Sequence, residues 1–231
     1  MLRSRARTDD EKQARRQFIL ATAEQLLRRE GFDTFTMNKL AAEAELAKGT
    51  LYLYFATREE LFLALYTELH DVWVDHFLDA EKQVATPNYS DICNHFYQSF
   101  VADPLLINLS ARATFGLEPH VPLPAWIAAK KAQTRTAKRL AGMFCNLFGY
   151  DPGQGQRLAW AFFAALSGAQ QRAINPNNDA EIPETLQRLG KIMSFKDVFL
   201  NMVLPLAPSP SISPAPSAGD VLRRYGQGRH G

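Results

Sequence analysis

The stretch TMNKLAAEAELAKGTLYLYFATREEL, residues 36–61, decides how this chain folds. Thr36 stands where a hydroxyl can cap a helix, and Leu40, Ala41 and Ala44 then share one apolar face. Glu45-Leu46-Ala47 is a tight connection, with Leu46 the buried plug between two helices. The second helix is short, from about Lys48 to Phe55. It turns Leu51 and Phe55 inward and carries Lys48, Thr50, Tyr52 and Tyr54 outward. Tyr52 and Tyr54 are two apart on a helix, so at least one of them is exposed. Thr57 opens a third helix, and Glu60 three residues on completes a reciprocal capping pair. A short helix that begins with small residues and exposes Lys, Thr and Tyr fits a DNA major groove.

The residues ahead of this stretch read as its buttress. Thr8 and Glu11 form a capping pair that starts a helix running to about Glu30. Ile19, Ala23, Leu26 and Leu27 lie on one stripe of it, and Gly31 ends it. Phe32 and Phe35 then pack back onto that stripe. Residues 1–8 read as a disordered basic arm. Arg3, Arg5 and Arg7, followed by Lys12, Arg15 and Arg16, suit either a solvated tail or phosphate contact.

These residues together resemble the TetR family of transcriptional regulators. The resemblance covers residues 15–61 and rests on Ile19, Ala23, Leu26, Leu27, Gly31, Phe32, Thr36, Leu40, Ala41, Ala44, Leu46, Lys48 to Tyr52, Tyr54-Phe55 and Arg58 to Leu61. It implies DNA contacts by Lys48, Thr50, Tyr52, Tyr54 and Arg58; Gly49 is a further candidate, and Thr36 and Lys39 stand where the first helix of the motif would cross the backbone. Two positions depart from the family pattern. Glu45 stands where the family often has Gly, so either the turn avoids positive φ or Glu45 is strained. Ala47 stands where a Ser or Thr often caps the reading helix.

Composition bounds the rest. At 231 residues and 46% apolar content, the chain can bury a sizeable core, while a net charge of +2 announces no nucleic-acid partner by itself. Two cysteines, Cys93 and Cys145, form no paired framework, which suits a reduced, cytoplasmic compartment. The first residues are charged rather than apolar, so no signal peptide is read, and no apolar run is long enough to span a membrane.

The remainder is expected to be all-α. Residues 9–60 make the helix-turn-helix domain and 61–204 a helical regulatory and dimerisation domain. Leu61, Phe62, Leu65, Leu69, Val72, Trp73 and Phe77 give the helix from Arg58 its stripe, ending at Thr86-Pro87-Asn88. One or two helices span 89–115, with a break at Asp103-Pro104; 116–124 is a loop. Helices follow at Trp126 to Phe148, Gln156 to Ile174 and about Pro183 to Leu204, and residues 205–231 form a disordered Pro/Ser-rich tail.

Most of the aromatic side chains are expected in a packed core, and the family implies an apolar ligand cavity among them. Its candidate lining is Phe96, Phe100, Arg112, Trp126, Gln133, Trp160 and Gln170, with His95 and Asn108 as further polar groups. His70, His76 and Asp79, or Cys93 and His95, offer metal-ligand types without a dedicated spacing, so no metal and no cofactor is expected. The last two helices are the expected homodimer surface, through Ala161, Ala164, Ala165, Gly168 and Ala169 and through Leu186, Leu189 and Met193. No catalytic constellation or Gly-rich phosphate loop is present, so no catalytic residue is named. The functional expectation is a homodimeric, sequence-specific regulator of double-stranded DNA with a palindromic operator. It acts as a repressor released by a small, largely apolar ligand. The alternative is a helical module whose helix-turn-helix docks a protein.

Overall fold

The computed structural model describes residues 2–172 and 194–207, and among them all regular structure is helical. The amino-terminal unit comprises α1 (Leu2–Glu30), α2 (Met37–Glu43), α3 (Lys48–Tyr54) and the first turns of α4 (Arg58–Glu81). The other described helices are α5 (Tyr89–Val101), α6 (Pro104–Arg112), α7 (Leu123–Phe148), α8 (Pro152–Arg172) and α9 (Phe195–Val203). The expected break after Ile174, the start of the last helix, Leu186, Leu189, Met193 and the tail beyond residue 207 lie outside the described residues.

Local chemistry explains the ends. Thr36 accepts from the Lys39 N–H at 3.1 Å, and Thr57 accepts from the Glu60 N–H at 3.0 Å. Glu60 closes the second cap by accepting from the Ala56 N–H at 2.8 Å, one residue earlier than the reciprocal pattern requires. Asp103 caps α6 through the N–H groups of Leu105 and Leu106. Gly31 and Gly149 end α1 and α7 in the left-handed conformation, at φ 78° and 67°.

Several boundaries differ from the sequence reading. α1 begins at Leu2, so Thr8 lies inside it; no Gly or Pro between residues 2 and 30 stops the helix earlier. α7 and α8 begin three and four residues earlier than read, at Leu123 and Pro152, because proline in a first turn loses no helical bond. The expected 116–124 loop is mostly helical turns, over Ala113–Leu117 and Glu118–His120. Leu46 is half-buried at the edge of the core rather than enclosed. Val72 is 50% exposed, and Val74 takes the buried position instead.

Two apolar cores hold the molecule. One joins α4, α5, α7, α8 and α9 around Trp73, Phe77, Phe96, Phe144, Phe162 and Phe199. Tyr89 ties α9 in by donating to the Val203 carbonyl at 2.8 Å. The second core holds the helix-turn-helix together through Ile19, Leu26, Leu40, Leu51, Phe55 and Phe62. Leu105, Leu109 and Leu117, from α6 and the turn after it, are built into this second core. Arg28 of α1 adds a two-point pair to Asp103, both contacts at 2.7 Å.

The α2–α3 turn is strained. Glu45 has φ 52° and is the one non-glycine residue at positive φ among the described residues. That conformation costs an L-residue about 1–2 kcal/mol, and glycine gives back about 0.5–1 kcal/mol of it as lost unfolded-chain entropy. Glu45→Gly is therefore expected to raise the thermal midpoint by about 2–3 °C. A lowered midpoint would contradict this account of the turn.

Candidate DNA-reading surface and ligand cavity

α3 presents a compact outer face. Leu51 and Phe55 are fully buried, which fixes the roll of the helix and turns Lys48, Gly49, Tyr52 and Leu53 to solvent. Ala47 makes no side-chain cap; the Thr50 N–H donates to the Ala47 carbonyl at 2.9 Å, while the Lys48 and Gly49 N–H groups have no acceptor among the described residues. No atom lies within 4 Å of a Cβ built on Gly49, so the backbone there is bare to an approaching partner. Among the described residues Lys48 has no acidic partner; its ammonium lies 5.9 Å from the Tyr52 ring centre. Thr50 is half-buried. Tyr54 is half-buried against the core, so of the two tyrosines only Tyr52 is largely outward. Leu53, which the sequence reading passed over, is 79% exposed.

The flanks are already tied. The Thr36 hydroxyl caps α2, and Lys39 is paired with Glu30 at 2.9 Å. Arg58 leans over Phe62 and pairs with Glu59 at 3.3 Å. Arg16 lies 4.8 Å from the centre of the Phe55 ring. A phosphate would have to compete with Glu30 for Lys39 and with Glu59 for Arg58, whereas no described residue competes for Lys48.

A cavity of about 290 Å³ opens between α4, α7, α8 and the turns after α6. Tyr66 and His70 line it from α4, Lys130 and Gln133 from α7, and Trp160 and Phe163 from α8, with Glu118 at the turn. His70 is buried, and desolvation pushes its pKa down to about 4, so the ring is neutral near pH 7. Burial pushes the Tyr66 phenol up to about 12, against the opposing effect of its bond to Ser110. Lys130 pairs with Glu118 at 2.7 Å, and Trp126 donates to the same carboxylate at 3.0 Å. Arg139 reaches from α7 to Asp71 and Asp75 of α4, and Thr136 donates to Asp71 at 2.5 Å, holding α7 on α4.

Of the seven lining candidates, Gln133 and Trp160 line this cavity, and Trp126 fixes its wall through Glu118. The others stand elsewhere. Phe96 and Phe100 are fully enclosed by other rings of the core. Arg112 places its guanidinium 4.3 Å from the Phe32 ring centre, on the helix-turn-helix side. Gln170 donates to the Ile107 carbonyl at 2.7 Å. His95 pairs with Glu81, and Asn108 donates to the Pro104 carbonyl at 2.8 Å. Ala165 and Ala169 of the small-residue face are buried in their own core, while Ala164 stays exposed. Among the described residues no three His, Cys, Asp or Glu side chains converge, and no helix is long and apolar enough to cross a membrane.

Two family models match in tandem. Residues 19–65 match the bacterial regulatory proteins of the tetR family, and residues 61–199 match the tetracyclin repressor-like C-terminal domain. The chain belongs to the TetR family. It is therefore a helix-turn-helix, DNA-binding transcriptional regulator, in a family of regulators rather than enzymes. An uncharacterized HTH-type transcriptional regulator of Haemophilus influenzae is 46% identical over 43 residues, 19% of this chain and 23% of that protein. The fatty acid metabolism regulator protein of Bacillus subtilis is 28% identical over 68 residues, 29% of this chain and 35% of that protein. These matches span well under half of either relative. The crystal structure of the multidrug binding protein EbrR complexed with imidazole shares the TetR fold, with a TM-score of 0.53 and 18% identity over 85% of this chain and 97% of that one.

Proposed function

We propose that this TetR-family chain works as a homodimer that reads a palindromic operator and releases it when a small, largely apolar ligand enters the cavity. One observation carries the ligand response. The segment from α6 to Glu118 belongs to both sites: Leu105, Leu109 and Leu117 sit in the helix-turn-helix core, while Ala113 and Glu118 line the cavity. A ligand that shifts this segment biases the pose of α1–α3, which is a population shift between two dimer geometries.

Lys48, Gly49, Thr50, Tyr52 and Leu53 are the residues we assign to the DNA. Lys48 meets a phosphate, Gly49 lets the backbone approach, and Tyr52 bonds a phosphate with its phenol. Thr50 and the exposed Leu53 reach base edges, where thymine offers a methyl group. Tyr54, Arg58, Thr36 and Lys39 flank that surface, Tyr54 from a half-buried position and the others from exposed ones. The dimer forms through α8, α9 and the turn after α9, whose outer surfaces leave Trp160, Met202 and Leu206 about 40% exposed or more. Two reading heads are needed because one seven-residue helix contacts too few bases for a specific site.

The test is salt dependence. Operator affinity is expected to fall steeply as salt rises, and Lys48→Ala to reduce the log–log slope by about 1. An unchanged slope would remove Lys48 from the phosphate contacts. An affinity indifferent to salt would contradict DNA reading by this surface.

A further inference from the structure

The cavity holds one ion pair, and its two partners are not equally free to leave. Lys130 Nζ lies 2.7 Å from Glu118 Oε1, and Trp126 Nε1 donates to Oε2 at 3.0 Å. The Glu118 side chain keeps 14% of its exposure and the Lys130 side chain 39%. An ammonium on a flexible four-carbon stem returns to water at small cost, whereas a carboxylate left in place without its cation is an unpaired buried charge. A ligand that arrives with a positive charge can therefore take the place of Lys130 and leave every buried charge matched. A ligand that arrives with a negative charge must sit beside Glu118 or force it out.

The walls favour the same sign. The rings of Tyr66, His70 and Phe163 run in sequence, with centres 5.5 Å and 4.9 Å apart, and Trp160 continues the surface 6.3 Å from Phe163. Aromatic faces attract cations, most strongly where water is excluded. Glu118 and Lys130 are the charged side chains among the described lining residues, and His70 is neutral near pH 7, so none of those residues offers a competing cation. Lys131, Arg135 and Lys138, which form no ion pair among the described residues, line the neighbouring groove along α7 that Lys130 also borders.

The geometry points to a small lipophilic monocation, such as an aryl-substituted quaternary ammonium, as the ligand class, with Glu118 as its counterion and Lys130 as the resident cation it displaces. This rests on the ligand-responsive reading above and gives that ligand its charge. The cavity volume, about 290 Å³, suits a compact ligand, at the lower end of the range for ligand pockets.

Calorimetric titration of the full chain tests this with three probes: benzyltrimethylammonium, its neutral isostere neopentylbenzene, and the anion phenylacetate. The cation is expected to bind at least about tenfold tighter than either of the others. Glu118→Gln keeps an acceptor for Trp126 and removes the charge, so it is expected to erase that preference. Lys130→Met removes the competitor and is expected to tighten the cation alone. A preference that survives Glu118→Gln, a neutral or anionic probe that binds as tightly as the cation, or no cation binding at all overturns the proposal. Operator binding measured on the same wild-type preparation separates the two levels. With the operator held and phenylacetate in the cavity, the cation falls and the regulator stands; with no duplex bound, the underlying reading falls as well.

Discussion

Phe96→Ala is expected to lower stability by about 3–5 kcal/mol. Phe96 is fully buried, and its ring meets those of Trp73 at 4.8 Å, Phe77 at 5.2 Å, Phe162 at 5.2 Å and Phe199 at 6.0 Å. These partners come from α4, α8 and α9, so the cavity left behind cannot be closed by moving one helix. The loss is a large fraction of a typical domain stability, and the midpoint should fall by about 10 °C. Thermal and urea unfolding of the variant measure it. A loss under about 1 kcal/mol, together with altered ligand response, would mean that Phe96 lines a ligand space instead.

His70→Phe is expected to change the pH dependence of stability. The folded-state pKa of His70 lies near 4 and the unfolded value near 6.5, with burial the main cause. The nearby Asp71 raises the value and Arg139 lowers it, both more weakly than burial. Because the folded pKa is depressed, the unfolded chain takes up the proton first as pH falls. The wild-type protein keeps the full contribution above pH 6.5 and loses about 3 kcal/mol as pH falls from 6.5 through 4. Phenylalanine fills a similar space among Tyr66, Trp73 and Phe163 and has nothing to titrate. The difference between the two unfolding curves should grow from pH 6.5 to 4 in favour of His70→Phe. Parallel curves over that window would show that His70 is accessible to protons in the folded protein.

What could be read in the sequence was local. Thr36, the Thr57–Glu60 pair, Asp103-Pro104, Gly31 and Gly149 each act on backbone groups within four residues of themselves, and each marks its helix end where expected. The buried stripes of α1 and α3 were also legible, since Leu51 and Phe55 are one helical turn apart and leave a single way to roll α3. The same reasoning could have found Leu53, two residues from both and so on the opposite face. Its side chain carries no hydrogen-bonding group, the usual mark of a base or phosphate contact.

Long-range assembly was not legible. The cavity takes side chains from α4, α7, α8 and the turn at Glu118, up to about a hundred residues apart, and periodicity within one helix says nothing about which faces meet. Phe96 and Trp160 look alike in sequence; one is enclosed by rings from three other helices and the other lies at a cavity edge. Arg112 lies at the end of a helix whose neighbours, Leu105 and Leu109, are claimed by the helix-turn-helix core, and this turns it toward Phe32. The sequence boundary at residue 60 is likewise not a break in packing, since that core draws on α6.

The most direct test of the account is selection of duplexes from a random DNA pool by the purified, folded protein, with salt titrated. The account predicts enrichment of one palindromic site, with half-sites about one helical turn apart, weakened by salt and lost on Tyr52→Ala. No enrichment above background at low salt, from protein that is folded and free of bound ligand, would contradict it.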